Sequence, residues 1–143
     1  MSKKGIEAAV KNLEDHYSQF PDWYWKYGLH DARILSICEL ELTPEWKEKQ
    51  PKRNCLEILL DSRNALCERN IQRISLYNYC IVSIRMNATE PLTLEAFQDV
   101  FWLGDSIEQL DDGRYLLEIE CTGFHSDLMY LTVRFEAAEI ERK

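Results

Sequence analysis

Glycine and histidine are scarce in this chain, cysteine comes in an odd number, and long apolar runs are missing; each shortage removes a class of function. Five glycines in 143 residues leave little from which to build a phosphate cradle, and neither G-x-x-x-x-G-K-[ST] nor G-x-G-x-x-G occurs. Common nucleotide chemistry is disfavoured on that ground. Only three histidines are present, and H-E-x-x-H and G-x-S-x-G are both missing. The five cysteines, Cys38, Cys55, Cys67, Cys80 and Cys121, stand far apart with no C-x-x-C, so no zinc ligand set of the usual spacing can be drawn. No metal and no cofactor are expected. The start, Met1-Ser2-Lys3-Lys4-Gly5, has no apolar stretch of the secretory kind, and nothing approaches the ~20 apolar residues that span a bilayer. Those features predict a reducing, cytoplasmic setting without membrane insertion.

What is present fits an ordinary globular protein. Apolar residues make up 45% of the chain and charged ones 29%, a balance that supports a packed core rather than disorder. No repeat, Gly/Ser linker or low-complexity tract divides it, so residues 1–143 are expected to form a single domain. The formal charge of −8 repels phosphate backbones, which argues against nucleic acid, and attracts a basic protein.

Apolar periodicity supplies the elements. Ile6, Ala9, Val10, Leu13, Tyr17 and Phe20 recur at helical spacing and end at Pro21, which predicts an amphipathic helix over 6–20. Strand-like stretches follow. They open at His30, run through Cys55–Asp61 with Leu56, Ile58 and Leu60 on one face, and continue between Ile74 and Met86. In that last stretch Ile74, Leu76, Cys80, Val82, Ile84 and Met86 share one parity, which Asn78 interrupts; a bulge there is the simplest repair, and otherwise Asn78 is a buried amide that needs hydrogen-bond partners. Residues 93–103 suit a short helix capped by Thr93, with a strand as the other reading. Asp111-Asp112-Gly113 marks a hairpin, and Tyr115, Leu117, Ile119 and Cys121 alternate after it. Met129, Leu131, Val133, Phe135 and Ala137 then define an inward face. The fold class expected is α+β: a mainly antiparallel sheet of about six strands with an N-terminal amphipathic helix packed on it.

Three groups of residues could carry function. Asp105, Glu108, Asp111, Asp112, Glu118 and Glu120 oppose a single Arg114 and predict an acidic, protein-binding ridge. The aromatic connector with Trp23, Tyr24, Trp25 and Tyr27 could stack on a ligand beside His30 and Asp31, or close as a lid over the sheet. Cys121, His125 and Asp127 could form a nucleophilic pair across a loop, but Cys121 continues an apolar parity and reads better as core. No residue is assigned a catalytic role.

At Trp25-Lys26-Tyr27-Gly28-Leu29-His30-Asp31-Ala32-Arg33-Ile34-Leu35-Ser36-Ile37 the chain resembles small bacterial domains whose first strand opens with Leu-His-Asp, some of them assigned as immunity proteins of polymorphic toxin systems. Ile74-Ser75-Leu76-Tyr77-Asn78-Tyr79 is similar to a later strand of theirs that ends in Asn before an apolar residue. The likeness covers about a quarter of the chain. It implies a mostly antiparallel fold without enzymatic activity and offers no catalytic residues to carry over. Charge and resemblance together give the leading expectation: a non-enzymatic domain that binds a basic toxin through its acidic surface. The rival is a small-ligand binder or small hydrolase using Trp23, Trp25, Tyr27, His30 and Asp31. An uncovered strand edge could also pair two copies as a homodimer.

Overall fold

A computed structural model describes residues 24–25, 28–43, 52–86, 90–91, 93–123 and 128–143. Nine strands follow one another: β1 Arg33–Glu41, β2 Asn54–Asp61, β3 Ile71–Tyr77, β4 Cys80–Met86, β5 Glu90–Pro91, β6 Val100–Gln109, β7 Tyr115–Thr122, β8 Leu128–Phe135 and β9 Ala137–Arg142. All pair antiparallel, in the order β5-β4-β8-β7-β6-β1-β2-β3-β9.

Alternation of apolar and polar residues is what makes these segments strands, since successive side chains leave opposite faces of a pleated backbone. Leu117, Ile119 and Cys121 of β7 stand opposite Val133, Leu131 and Met129 of β8, and all are buried. Leu56 and Ile58 of β2 pair in the same way with Leu76 and Ile74 of β3. The two ladders face each other across one core, which Trp102, Ile107 and Phe135 also enter.

Chain continuity turns the linear strand order into a folded-over sheet. β3 passes into β4 through Asn78 and Tyr79 alone, and β8 into β9 through Glu136 alone, yet β3 pairs with β9 and β4 with β8. Two long stretches of chain therefore bend together and carry the ladder round a corner, as strands that switch layers do in orthogonally packed sheets. Asn78 makes the bend with φ 52, a left-handed conformation that Asn tolerates better than most residues. Its side-chain oxygen accepts from the Arg53 amide at 2.7 Å, and its nitrogen donates to Glu136 at 2.9 Å. The Glu136 amide donates in turn to Tyr77 O at 3.0 Å. On the opposite side Arg33 and Ile34 of β1 pair with Phe101 and Val100 of β6, and beside that ladder Asp31 N donates to Trp102 O and Trp102 N to Ala32 O.

Asn78→Ala is expected to destabilise the protein by roughly 2–3 kcal/mol in urea unfolding, because it adds left-handed strain and removes the side-chain bonds to Arg53 N and Glu136. Asn78→Gly, which relieves the strain, should lose less.

Several expectations are corrected. The described residues form a nearly all-antiparallel sheet, with eight strands of six or more residues and the two-residue β5 among them, where an α+β fold with a sheet of about six strands was expected. Among the described residues the longest helical element is the 3₁₀ turn Leu94–Phe97; the stretch expected to be a helix over 6–20 lies outside them. That turn and β6 divide residues 93–103 between the two readings, and Thr93 makes no side-chain cap bond. His30 sits in a turn before β1 rather than opening the strand. Ala137 is exposed, because Glu136 bends the chain before the alternation reaches it. Cys80 and Val82 are exposed too: the left-handed Asn78 and a register shift between Ile81 and Ser83 reset the parity of β4.

Candidate functional site

The hairpin β6–β7 carries the acidic residues singled out from the sequence, and register sorts them by face. Its turn is built locally. Leu110 N donates to Arg114 O at 2.7 Å, Gly113 N to Leu110 O at 2.9 Å, and Arg114 N to the Asp112 carboxylate at 2.9 Å. Gly113 has φ 87, which a side chain would oppose. Asp111 and Asp112 are thereby displayed at an exposed tip.

Along the strands, Gly104 pairs with Glu120, Ser106 with Glu118 and Glu108 with Leu116, while Ile107 opposite Leu117 is inward. Glu108, Glu118 and Glu120 therefore share the outer face. Glu118 is engaged: Thr132 donates to it at 3.2 Å, and Arg85 lies 3.9 Å away. Glu108, Asp111 and Glu120 form no ion pair with another described residue. Asp112 keeps Arg114 within 3.8 Å, and Arg114 also lies 3.7 Å from Glu136.

Asp105 does not belong to that surface. A register shift between Trp102 and Gly104 puts Asp105 opposite Ile119, on the inward side. There its carboxylate accepts from the Tyr24 hydroxyl, from the Trp25 indole at 2.7 Å and from the Trp102 indole at 2.8 Å. The last two bonds end on the same oxygen, and Trp25 meets Trp102 edge to face with ring centroids 5.4 Å apart. Although the residue as a whole keeps some exposure, its carboxylate is enclosed. Burial pushes its pKa above the usual carboxylate range, and the three donors pull it back only in part. This cluster fastens the chain before β1 onto β6.

Of the other predicted ligand residues, Trp25 belongs to this buried cluster, whereas the His30 and Asp31 side chains lie apart from it in a turn. Trp25 is only 2% exposed and serves the core. His30 Nδ1 lies 3.2 Å from the Asp31 carboxylate in an exposed turn where Asp31 has φ 72. Asp31 N donates to Trp102 O, and Leu66 N to His30 O, so backbone bonds hold the pair in place. Trp23 and Tyr27 lie outside the described residues, as do His125 and Asp127. Cys121 is fully buried and its thiol pKa is driven up by that burial, the reverse of what a nucleophile needs. Cys55 is buried with its thiol pKa raised as well.

Brief alkylation of the folded protein, read by mass spectrometry, should therefore label Cys38, Cys67 and Cys80, which are exposed, and spare Cys55 and Cys121.

A polar cleft of about 750 Å³ opens at the bent corner, lined by Arg53, Asn54, Asn78, Tyr79, Arg114 and Glu136 together with Asp112 and Gly113 of the hairpin tip. Among the described residues no group of three or more His, Cys, Asp or Glu could hold a metal ion. No helix among them is long and apolar enough to cross a membrane.

Sequence reasoning missed the Asp105 cluster, although a signal existed. Asp105 shares parity with Ile107, so an acid stood at an inward position. The bonding partners at Tyr24 and Trp25, eighty residues away, could not be read from that parity. Comparison of the chain with protein-family models, with curated proteins and with solved structures finds no match.

Proposed function

We propose that this chain is a non-enzymatic, cytoplasmic protein-binding domain that meets a basic protein partner through the outer face and tip of the β6–β7 hairpin. The reading rests on Glu108, Asp111 and Glu120: three carboxylates on one hairpin, none ion-paired with a described residue, in a chain of net charge −8. Unpaired like charges on one surface cost stability through mutual repulsion, and an incoming cationic surface converts that cost into steering and specificity. The Leu-His-Asp resemblance to immunity proteins agrees with such a role and makes a toxin the partner to test first. Asp105, held inside by aromatic donors, is withdrawn from the binding set. Asp112 and Glu118 join at its margins, where each already has a cationic neighbour.

The ligand-binding alternative is not favoured, since Trp25 lies in the core while His30 and Asp31 occupy an exposed turn. The test is capture from an extract of the source cell with the wild-type chain and with the triple variant Glu108→Lys, Asp111→Lys, Glu120→Lys. A partner bound through this face should be lost by about tenfold or more in the variant and released as salt is raised. Equal capture by both proteins at every salt concentration would overturn the reading.

A further inference from the structure

Strand edges invite further pairing, and proteins protect them with charge, proline or cover. Here β9 carries Glu139, Glu141 and Arg142, and the part of β1 beyond its short ladder with β6 carries Glu39 and Glu41. Past Trp102, the Asp105 cluster holds Tyr24 and Trp25 against β6. The terminal β5 brings Pro91, which has no N–H to offer, and pairs only with Arg85 and Met86. What remains is Cys80-Ile81-Val82-Ser83-Ile84 of β4. It is paired with β8 on one side and has no described strand on the other, and it contains neither charge nor proline. Val82 at its centre is 54% exposed, more than any other large apolar residue among those described.

We propose that this edge is a self-association site, at which two copies of the chain pair β4 to β4, antiparallel, about a two-fold axis near Val82. An antiparallel edge is its own complement, so a second copy needs no feature beyond those present. Charge selects the same occupant. Two chains of −8 repel at the acidic hairpin, and the uncharged stretch of β4 is where they can approach. A basic partner would find no carboxylate there to steer it. The register shift between Ile81 and Ser83 twists the strand and confines pairing to a few residues, so the association is weak and concentration-dependent rather than obligate.

Sedimentation of the full chain, with reductant present to exclude a Cys80 disulfide, tests this directly. Dimer should accumulate between about 0.1 and 1 mM, and Val82→Lys should weaken association by about tenfold or more while leaving the unfolding midpoint unchanged. A wild-type chain still monomeric at about 1 mM, or a Val82→Lys chain that dimerises as well as wild type, would overturn the proposal. Should that variant fail to fold, hydrogen exchange of the wild type at low and high concentration decides instead. Concentration-dependent slowing at Cys80–Ile84 supports the pairing, and slowing only elsewhere refutes it. The triple hairpin variant should still dimerise, which keeps this site separate from the partner-binding face.

Discussion

Asp105→Ala lowers the stability of the folded protein by roughly 2–4 kcal/mol, whereas Asp105→Asn leaves it within about 1 kcal/mol of wild type. Alanine removes the acceptor that the Trp25 and Trp102 indoles share and the one that the Tyr24 hydroxyl uses. Asparagine can keep all three contacts. Its carboxamide oxygen takes the place of the doubly bonded oxygen, and its nitrogen donates to the Tyr24 oxygen once that hydroxyl rotates. Asparagine also avoids the cost of holding a charge among aromatic rings.

The same pair of proteins reports on pH. The Asp105 carboxyl keeps its proton to a higher pH in the folded than in the unfolded chain, so the folded state binds more protons across the interval between those two pKa values. Stability contributed by this group is present below the unfolded value, near 3.9, and is lost as pH rises through the folded one. Urea midpoints followed from acid to neutral pH should show wild type losing ground to Asp105→Asn over that interval. Asp61 and Glu139, whose pKa values are lowered by their partners, act in the opposite sense, and they cancel in the comparison because both proteins contain them. A wild-type minus Asp105→Asn difference that does not change with pH would show that the carboxyl is not held above its ordinary range.

Phe135→Ala is expected to have the larger effect, roughly 3–5 kcal/mol in chemical unfolding. Phe135 is fully buried at the end of β8, opposite Tyr115 of the hairpin, with ring centroids 5.5 Å apart and the planes inclined by 26°. Glu136, the next residue, forms the bend into β9. Loss of the ring therefore opens a cavity where the hairpin base, the corner and the core meet, so little can collapse into it. Phe135→Leu should recover much of the loss. A change below about 1 kcal/mol for the alanine variant would mean that this corner is not part of the cooperative core.

The acid face and the core differ in how far the sequence exposes them. Glu108, Glu118 and Glu120 lie on the outer face because Ile107, Leu117 and Ile119 must be inside, and period-two alternation is enough to infer that. The Asp111-Asp112-Gly113 turn was equally legible, since Gly113 meets a local conformational demand. Parity failed wherever the backbone inserts or bends. The register shift after Trp102 brought Trp102 to the same inward side as Asp105 and Ile107 although its parity is opposite, the shift at Val82 turned that side chain outward, and Glu136 cut β8 off before Ala137.

The alternation of β2, β7 and β8, the hairpin turn, the overall acidity and the burial of Cys121 follow from local chemistry and were determined by the order of residues alone. The course of the sheet round the Asn78 and Glu136 corner, the joining of β1 to β6 by a two-residue ladder, and the capture of Asp105 by Tyr24, Trp25 and Trp102 were decided only in three dimensions. Each depends on groups far apart in the chain whose meeting is set by how the layers pack, and no periodicity records that.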